Sequence, residues 1–353
     1  MDPPTQAYRA TALRLQVLTR AEGLEARIAE VENAFLEHTG ECLDMPVEEW
    51  RVRSWLEEGS TDPEEMAIAL EDNTLAGYAW AWIRDGDESL SWVGMRVNPL
   101  TPPATSLEAA RLLLSWARHS LEAWQGARGA VTVKLGLLGG YTMSLAQRLV
   151  ASLEAYKPSG LLMEARTPIG VQEQPGVVVR EARPWSSEED LEAIVSIYND
   201  AFSVYEGHHA WRLERARRYF QQARERLGTR ILLALVDGAP RGFVEAYTYE
   251  SICHTRVGYV ALLAVARDSQ GRGLGSMLLS KAVDMLLSEG VERVVLHAVP
   301  EASGLYIRRG FKARRIYVES RVPLSVLPTS LYTMQAPGAP AQPRSSRHPH
   351  HTS

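Results

Sequence analysis

The sequence predicts a mixed α/β protein made of two similar domains in tandem, and three observations lead to this prediction. The chain has 353 residues, which is more than a single core ordinarily holds. Strand-like apolar runs alternate with helical patterns, and their order is similar in the two halves. Residues 167–176 contain two prolines and two glycines and show no periodicity. We therefore expect domains at 1–168 and 177–334, joined by a linker at 169–176.

In the N-terminal half, apolar alternation predicts strands and helical spacing predicts helices. Ser106 has the character of a helix N-cap, and Glu108 follows it in the first turn, so the longest helix is expected to begin at 107. The predicted elements are a strand at 13–19, helices at 25–37 and 47–57, a hairpin at 66–83, a strand at 91–97, a helix at 107–124, a strand at 131–138, a helix at 144–154 and a strand at 161–166.

The C-terminal half shows the same kinds of pattern in a similar order. Asp237 and Gly238 separate two apolar runs and predict a hairpin. The spacing of Leu274, Met277 and Leu278 is helical. The predicted elements are a strand at 177–183, helices at 188–203 and 210–227, strands at 231–236, 242–249 and 257–265, a helix at 273–288, a strand at 293–299, a short helix at 302–309 and strands beyond 311.

The composition is that of an ordinary globular protein, with 45% hydrophobic and 23% charged residues. A net charge of −5 argues against a general nucleic-acid or membrane-surface binder.

Cys42 and Cys253 lie far apart and outside any CxxC, so neither a disulfide framework nor a zinc site is expected. No long apolar segment or signal pattern is present, and a cytoplasmic protein is expected. Residues 335–353 are polar and proline-rich, and a disordered tail is expected there.

A glycine-rich turn between a strand and a helix is the main functional signal. Gly271, Gly273 and Gly275 alternate around Arg272 just before the helix. The first amides of a helix lack internal partners, and glycines let an anion approach them. A P-loop would need Lys-Ser/Thr after the glycines, and a dinucleotide-binding fold would need GxGxxG in an early βαβ unit. A phosphate or pyrophosphate is the expected guest; the alternative is a turn without a ligand.

Two blocks resemble the GNAT superfamily of acyl-coenzyme A-dependent N-acyltransferases. The first is Leu263-Ala264-Val265 followed by the Gln270–Gly275 turn, and the second is ASGLYIRRGF at 302–311. The resemblance implies that each tandem domain has a mixed, mostly antiparallel sheet flanked by helices. Val299 stands where the family often has asparagine, which puts one side-chain contact to the pantetheine arm in doubt.

The resemblance further implies transfer of an acetyl or short acyl group from coenzyme A to a primary amine of a small molecule. Tyr306 takes the family's position for the acid that protonates the departing sulfur; the alternative is a tyrosine with its ring in the core. The residues implied in binding acetyl-CoA are Leu263, Ala264, Val265, Gln270, Gly271, Arg272, Gly273, Leu274, Gly275 and Ser276.

The general base is open between two main candidates. Glu245 is a charge among apolar neighbours in a strand, and it is either a base or an outward-facing residue. His297 is of a type that titrates near neutral pH; the alternative, which the sequence favours, is a hydrogen-bonded core histidine. His254, in a loop, is a third candidate. For the acceptor, we expect the loop between the first two helices of this half to contribute Tyr205, Glu206, His208 and Trp211, unless it is an ordinary polar loop with one anchoring tryptophan.

The N-terminal half is expected to be degenerate and without catalytic activity. Its matching turn contains Pro102 and Pro103, which lack amide protons, and Glu108 would compete with a pyrophosphate. Tandem chains with an active C-terminal half are known in the superfamily. Alternative functions are a protein or peptide N-acetyltransferase and an inactive module that binds coenzyme A. The expected partner is a small-molecule amine, with no nucleic acid, membrane or metal, and the chain is expected to be a monomer or homodimer.

Overall fold

The structure is a computed structural model that describes residues 13–17, 24–39, 42–57, 66–72, 74–84, 87–125, 132–137, 140–150, 156–170, 173–205 and 210–329. The expected tail at 335–353 lies outside the described residues. Within them, no helix is long and apolar enough to cross a membrane.

The N-terminal half contains six strands and four helices among the described residues. They are β1 (Leu13–Val17), α1 (Leu24–Thr39), α2 (Glu49–Glu57), β2 (Met66–Glu71), β3 (Thr74–Arg84), β4 (Asp87–Val97), α3 (Pro103–Gln125), β5 (Thr132–Leu137), α4 (Gly140–Leu149) and β6 (Tyr156–Ala165).

Helix α3 begins earlier than predicted. Pro103 is its first residue, a position where the missing amide proton costs nothing. The Ser106 amide donates to the Pro102 carbonyl at 2.9 Å, so Ser106 lies inside the first turn. Its hydroxyl instead shares a hydrogen bond of 2.7 Å with the Thr101 hydroxyl. The prediction of Ser106 as the N-cap is wrong.

The C-terminal half repeats the pattern, with six strands and four helices described. They are β7 (Val177–Ala182), α5 (Glu188–Phe202), α6 (Leu213–Leu227), β8 (Arg230–Val236), β9 (Ala239–Glu250), β10 (Arg256–Val265), α7 (Leu274–Ser288), β11 (Val294–Ala298), α8 (Ser303–Arg308) and β12 (Lys312–Pro323).

The fold class is confirmed, and the two halves share one continuous sheet. The strand order is β1-β2-β3-β4-β5-β12-β6-β11-β10-β9-β8-β7. Neighbouring strands are antiparallel except for β4 with β5 and β10 with β11. Strand β6 pairs with β11, while β12 pairs with β5. Each half has therefore exchanged its last strand with the other, and the part of the sheet in each half is complete only when both halves are present.

Helices cover both faces of the sheet in the same way in each half. In the C-terminal half, α7 buries Met277, Leu278 and Ala282 against one face. Helices α5 and α6 bury Leu191, Ile194 and Phe220 against the other. In the N-terminal half, α3 and α4 pack on one face and α1 and α2 on the opposite face. Burial of these apolar stripes supplies the main stabilising free energy.

The cysteines correct an expectation from the sequence, because Cys42 and Cys253 form a disulfide. Their Cα atoms are 5.1 Å apart although 211 positions separate them along the chain. The bond joins the segment before α2 to the loop between β9 and β10, and so links the two halves. Spacing along the chain gave no sign of this proximity. A disulfide is uncommon in most cytoplasmic proteins, so it weighs against the expected compartment.

Candidate functional site

The central feature of the C-terminal half is the place where two parallel strands part. Strands β10 and β11 pair only at Gly258, Tyr259 and Val260, although β10 continues to Val265. Beyond Val260, one side of β10 therefore has no strand partner in the described sheet. Such a parting opens a gap in which an extended ligand can bond the strand's backbone.

A β-bulge in β10 marks the start of this gap. The register with β9 shifts between Val260 and Leu262, as an extra residue requires. After the bulge, Ala264 packs in the core with α5 and α6. The Ala266 amide donates to the Arg241 carbonyl of β9 at 2.8 Å. By alternation, the amides of Leu263 and Val265 point away from β9, into the gap.

The glycine turn presents a row of donors beside the gap. Gly271 and Gly273 have φ of 74° and 85°, a region that favours glycine. The first helical bond to the turn runs from the Met277 amide to the Gly273 carbonyl. In the described part of the chain, the amides of residues 271–276 donate to no backbone carbonyl. Six unpaired amides at a helix N-terminus form a site for an anion.

Three side chains shape this turn. The Gln270 amide group donates to the Val265 carbonyl at 2.9 Å, so it ties the turn to the strand instead of pointing at a ligand. Gln174, from the predicted linker, donates to the Arg272 carbonyl at 2.8 Å. The Arg272 side chain is exposed, with no ion-pair partner among the described residues. It can therefore meet an anion held by the turn.

Glu245 is fully buried on β9, so the outward-facing alternative is wrong. Its two oxygens accept hydrogen bonds of 3.0 Å from the Tyr219 and Thr229 hydroxyls. Burial raises the pKa of Glu245 to about 7, although both hydrogen bonds lower it. Glu245 pairs with Leu262, next to the bulge. A carboxyl group that titrates near neutral pH beside the gap can accept a proton.

Tyr306 lies on α8, which follows β11. Its ring is buried against Phe311, with the centroids 5.9 Å apart. Burial, with a smaller contribution from Tyr205, raises the pKa of Tyr306 to about 12. The hydroxyl is therefore protonated at neutral pH, and it makes no hydrogen bond to any described residue. The ring is thus in the core, while the hydroxyl remains able to donate; its role as the acid stays a prediction.

The histidines are placed differently from Glu245. His297 lies in β11 between the hydroxyls of Tyr259 and Tyr317, at 2.9 and 3.0 Å from its two ring nitrogens. Its side chain is exposed and lines a cavity, so the alternative of a core histidine is wrong. The surrounding protein nevertheless lowers its pKa by desolvation. His254 is exposed and contacts Glu250 at 2.6 Å in the loop after β9. Which of Glu245, His297 and His254 is the base stays a prediction.

The predicted acceptor loop is only partly described. Glu206 and His208 lie outside the described residues. Trp211 stacks on Tyr198 with ring centroids 4.1 Å apart, and its backbone is bonded at both polar atoms by the Asn199 side chain. These contacts give Trp211 an anchoring role between α5 and α6. A role in binding the acceptor stays a prediction for Tyr205 and Trp211.

The corresponding place in the N-terminal half is closed. Strands β4 and β5 stay paired from Leu90 to Met95, two residues before β4 ends. In the turn, the Leu100 and Thr101 amides already donate to Asn98. Glu108 pairs with Arg111 at 2.6 Å, so it is less able to repel an anion than expected. The paired strands and the two prolines support the prediction of a half without a ligand site.

Comparison with known proteins shows what part of this chain is similar to. Residues 191–311 match the model of the Acetyltransferase (GNAT) family. A mycothiol acetyltransferase of Beutenbergia cavernae is 33% identical over 95 residues, covering 26% of this chain and 32% of the relative. An N-alpha-acetyltransferase MAK3 of Arabidopsis thaliana is 39% identical over 64 residues, which cover 17% of this chain and 34% of the relative. The chain thus spans about a third of the length of these two relatives.

Solved structures extend the likeness to nearly the whole chain. A GCN5-related N-acetyltransferase from Sphaerobacter thermophilus has a TM-score of 0.60 at 22% identity, covering 88% of this chain and 96% of that one. A tandem GNAT protein from the clavulanic acid biosynthesis pathway has a TM-score of 0.62 at 15% identity, and the match covers 89% of this chain and 99% of that one. At these identities the likeness shows the fold, which is a tandem GNAT fold.

Proposed function

We propose that this chain, whose residues 191–311 form a GNAT domain, transfers an acetyl or short acyl group from coenzyme A to the primary amine of a small molecule. One observation carries the proposal: β10 and β11 part beside a glycine turn whose amides are unpaired. The names of the two sequence relatives support acetyl as the transferred group.

The residues present fit acetyl-CoA. The amides of residues 271–276 and the Arg272 side chain would hold its diphosphate, while the Leu263 and Val265 amides would bond the pantetheine arm and thioester. Acetyl-CoA supplies an activated acetyl group, which leaves sulfur as the new carbon–nitrogen bond forms. Exposed Val299 offers no side-chain hydrogen bond to that arm, so the backbone must supply the contacts there.

Two buried groups handle the protons of the reaction. Glu245 accepts the proton that the amine loses, because its carboxyl group ionises near neutral pH. Tyr306 donates a proton to the departing sulfur, because its hydroxyl is protonated and unbonded. Tyr219 and Thr229 position Glu245 through their hydroxyls. The proposed acid thus lies on α8, which follows β11, and the proposed base lies on β9, which pairs with the other edge of β10.

Replacing Tyr306 with phenylalanine tests the acid. We expect kcat to fall about 10²- to 10⁴-fold, the range over which general acids act, with an unchanged KM for acetyl-CoA, because the ring and its packing on Phe311 are retained. Release of free thiol, followed with a chromogenic disulfide, measures the rate. A variant with the kcat of the wild type would remove Tyr306 from the reaction.

The activity itself is tested on the full chain by the same thiol assay. A panel of amines would include amino acids, polyamines, aminoglycosides and peptide N-termini, each with acetyl-CoA and longer acyl-CoAs. We expect release with acetyl-CoA and at least one small amine. Release only with peptides would favour a peptide N-acetyltransferase, and none with any amine would favour an inactive module.

A further inference from the structure

A cavity lies between the two halves, on the sheet face next to the gap. Its volume is about 200 Å³, below the roughly 300–1,000 Å³ of pockets for drug-sized ligands. The N-terminal half contributes α1, the segment before α2, and α2 to its lining. The C-terminal half contributes β9, β10 and β11. The cavity therefore exists only when both halves are assembled, and it suits a small molecule.

The cavity adjoins the proposed reaction centre. Tyr247 lines it and lies two residues from Glu245, on the same face of β9. Tyr259 also lines it and pairs with Tyr247, one residue before the last pair between β10 and β11. A molecule bound in the cavity would therefore lie beside the start of the gap, where the thioester would be held.

Two carboxylates that line the cavity are already bound by arginines. Glu32 accepts bonds of 2.6 and 2.9 Å from Arg96. Asp44 accepts bonds of 2.7 and 3.2 Å from Arg315. Each pair satisfies a buried charge, which would otherwise be costly. These carboxylates are therefore poor sites for a second cation, and the cavity does not suit a polycationic acceptor.

Arg51 brings a further positive charge to the same cavity. It lines the wall and donates to the Pro46 carbonyl at 3.2 Å. A guanidinium carries five N–H groups and can bind a carboxylate with two of them. Burial raises the pKa of Tyr247 and Tyr259, and the charge of Arg51 opposes that rise, so its field reaches across the cavity.

On the premise that the proposed function is correct, we infer that this cavity binds the acceptor. The acceptor is a small amine that also carries a carboxylate, of the amino-acid type, and Arg51 binds that carboxylate. The tyrosine rings supply apolar walls, and the amine lies at the end of the cavity where Tyr247 and Tyr259 pair. The N-terminal half, which has no ligand gap of its own, then has a function: it supplies the specificity residue.

The test compares an amino acid with the amine formed by its decarboxylation, which differ only in the carboxylate. The wild type is expected to prefer the amino acid. Arg51→Met should raise its KM for the amino acid at least tenfold, with a much smaller change for the amine and none for acetyl-CoA. Arg51→Lys keeps the charge and should recover part of the loss. Arg53→Met, on the same helix but 57% exposed at its side chain, is the matched control.

A binding measurement separates this inference from the proposed function. With coenzyme A present, calorimetric titration of the full chain should show that the amino acid binds the wild type, and that Arg51→Met weakens binding at least tenfold. Equal losses for the amino acid and the amine, or transfer only to amines without a carboxylate, would overturn the inference and leave the acyltransferase intact. Absence of transfer to any amine would overturn the function, and the titration would still decide whether the cavity binds the amino acid.

Discussion

Replacing Glu245 with glutamine is expected to lower kcat/KM by roughly 10²- to 10⁴-fold, the range over which general bases act. Glutamine has nearly the same shape; its carbonyl oxygen can accept from one of the Tyr219 and Thr229 hydroxyls and its NH2 group can donate to the other, but it cannot take a proton. In the wild type, kcat/KM should rise with pH to a plateau above about pH 7, because the pKa of Glu245 is about 7 and only its ionised form is active. The variant should lose this limb, as measured by initial rates of thiol release across pH.

The same substitution should stabilise the fold at high pH. The folded pKa of Glu245 is about 7, above the ordinary value of 4.5, so its stabilising contribution is complete below pH 4.5 and is lost as pH rises through 7. Above pH 7, keeping the ionised carboxylate buried lowers the free energy of unfolding by about 3 kcal/mol. Glutamine never ionises, so Glu245→Gln should have a higher Tm than the wild type in alkaline buffer and a similar Tm in acid.

Two control variants test whether the effect is specific to Glu245. Glu250→Gln, at the exposed end of the same strand, should change neither rate nor stability. His297→Ala should keep the acidic limb of the profile, because its pKa is lowered and both ring nitrogens contact tyrosines. If Glu245→Gln kept the full rate while His297→Ala lost the limb, the base would be assigned to His297.

Gly273→Ala is expected to weaken acetyl-CoA binding roughly 10- to 100-fold, since a charge-assisted hydrogen bond contributes about 1.5–3 kcal/mol. Gly273 has φ of 85°, and a Cβ there would lie 2.5 Å from the Gln174 amide nitrogen. The added methyl group would disturb the amides that face the diphosphate. Calorimetric titration with acetyl-CoA measures the change in Kd.

Gly290→Ala is the matched control for that variant. Gly290 also has φ of 85° and has open space around it, but it lies at the other end of α7. Both substitutions should cost about 1–2 kcal/mol of backbone strain, and only Gly273→Ala should lose affinity. Equal affinities in the two variants would show that the turn does not hold the ligand.

The sequence predicted what local patterns determine. Periodicity predicted most elements of both halves, and the Gln270–Gly275 turn predicted the candidate site because its donors are consecutive in the chain. The start of α3 differs from the prediction because Ser106 has the chemistry of an N-cap, while Pro103, a good first helical residue, begins the helix. Both signals are local, so the sequence alone contains the information for this start.

Sequence patterns could not predict features that depend on residues far apart in the chain. The exchange of β6 and β12 depends on sheet order, which short-range patterns do not encode. Cys42 and Cys253 meet across 211 positions, and Arg51 joins Tyr247 in one cavity only after both halves have folded. The pKa of Glu245 likewise comes from burial under α6 and from the Tyr219 and Thr229 hydroxyls, neither of which has a fixed spacing from it.

The most direct test of the account is a crystal structure of the full chain with coenzyme A. We expect the diphosphate to lie within hydrogen-bonding distance of the amides of residues 271–276, and the pantetheine arm to lie between β10 and β11 along Leu263 and Val265. Coenzyme A bound instead at the Pro102 turn of the N-terminal half, or a gap left empty at saturating coenzyme A, would contradict it.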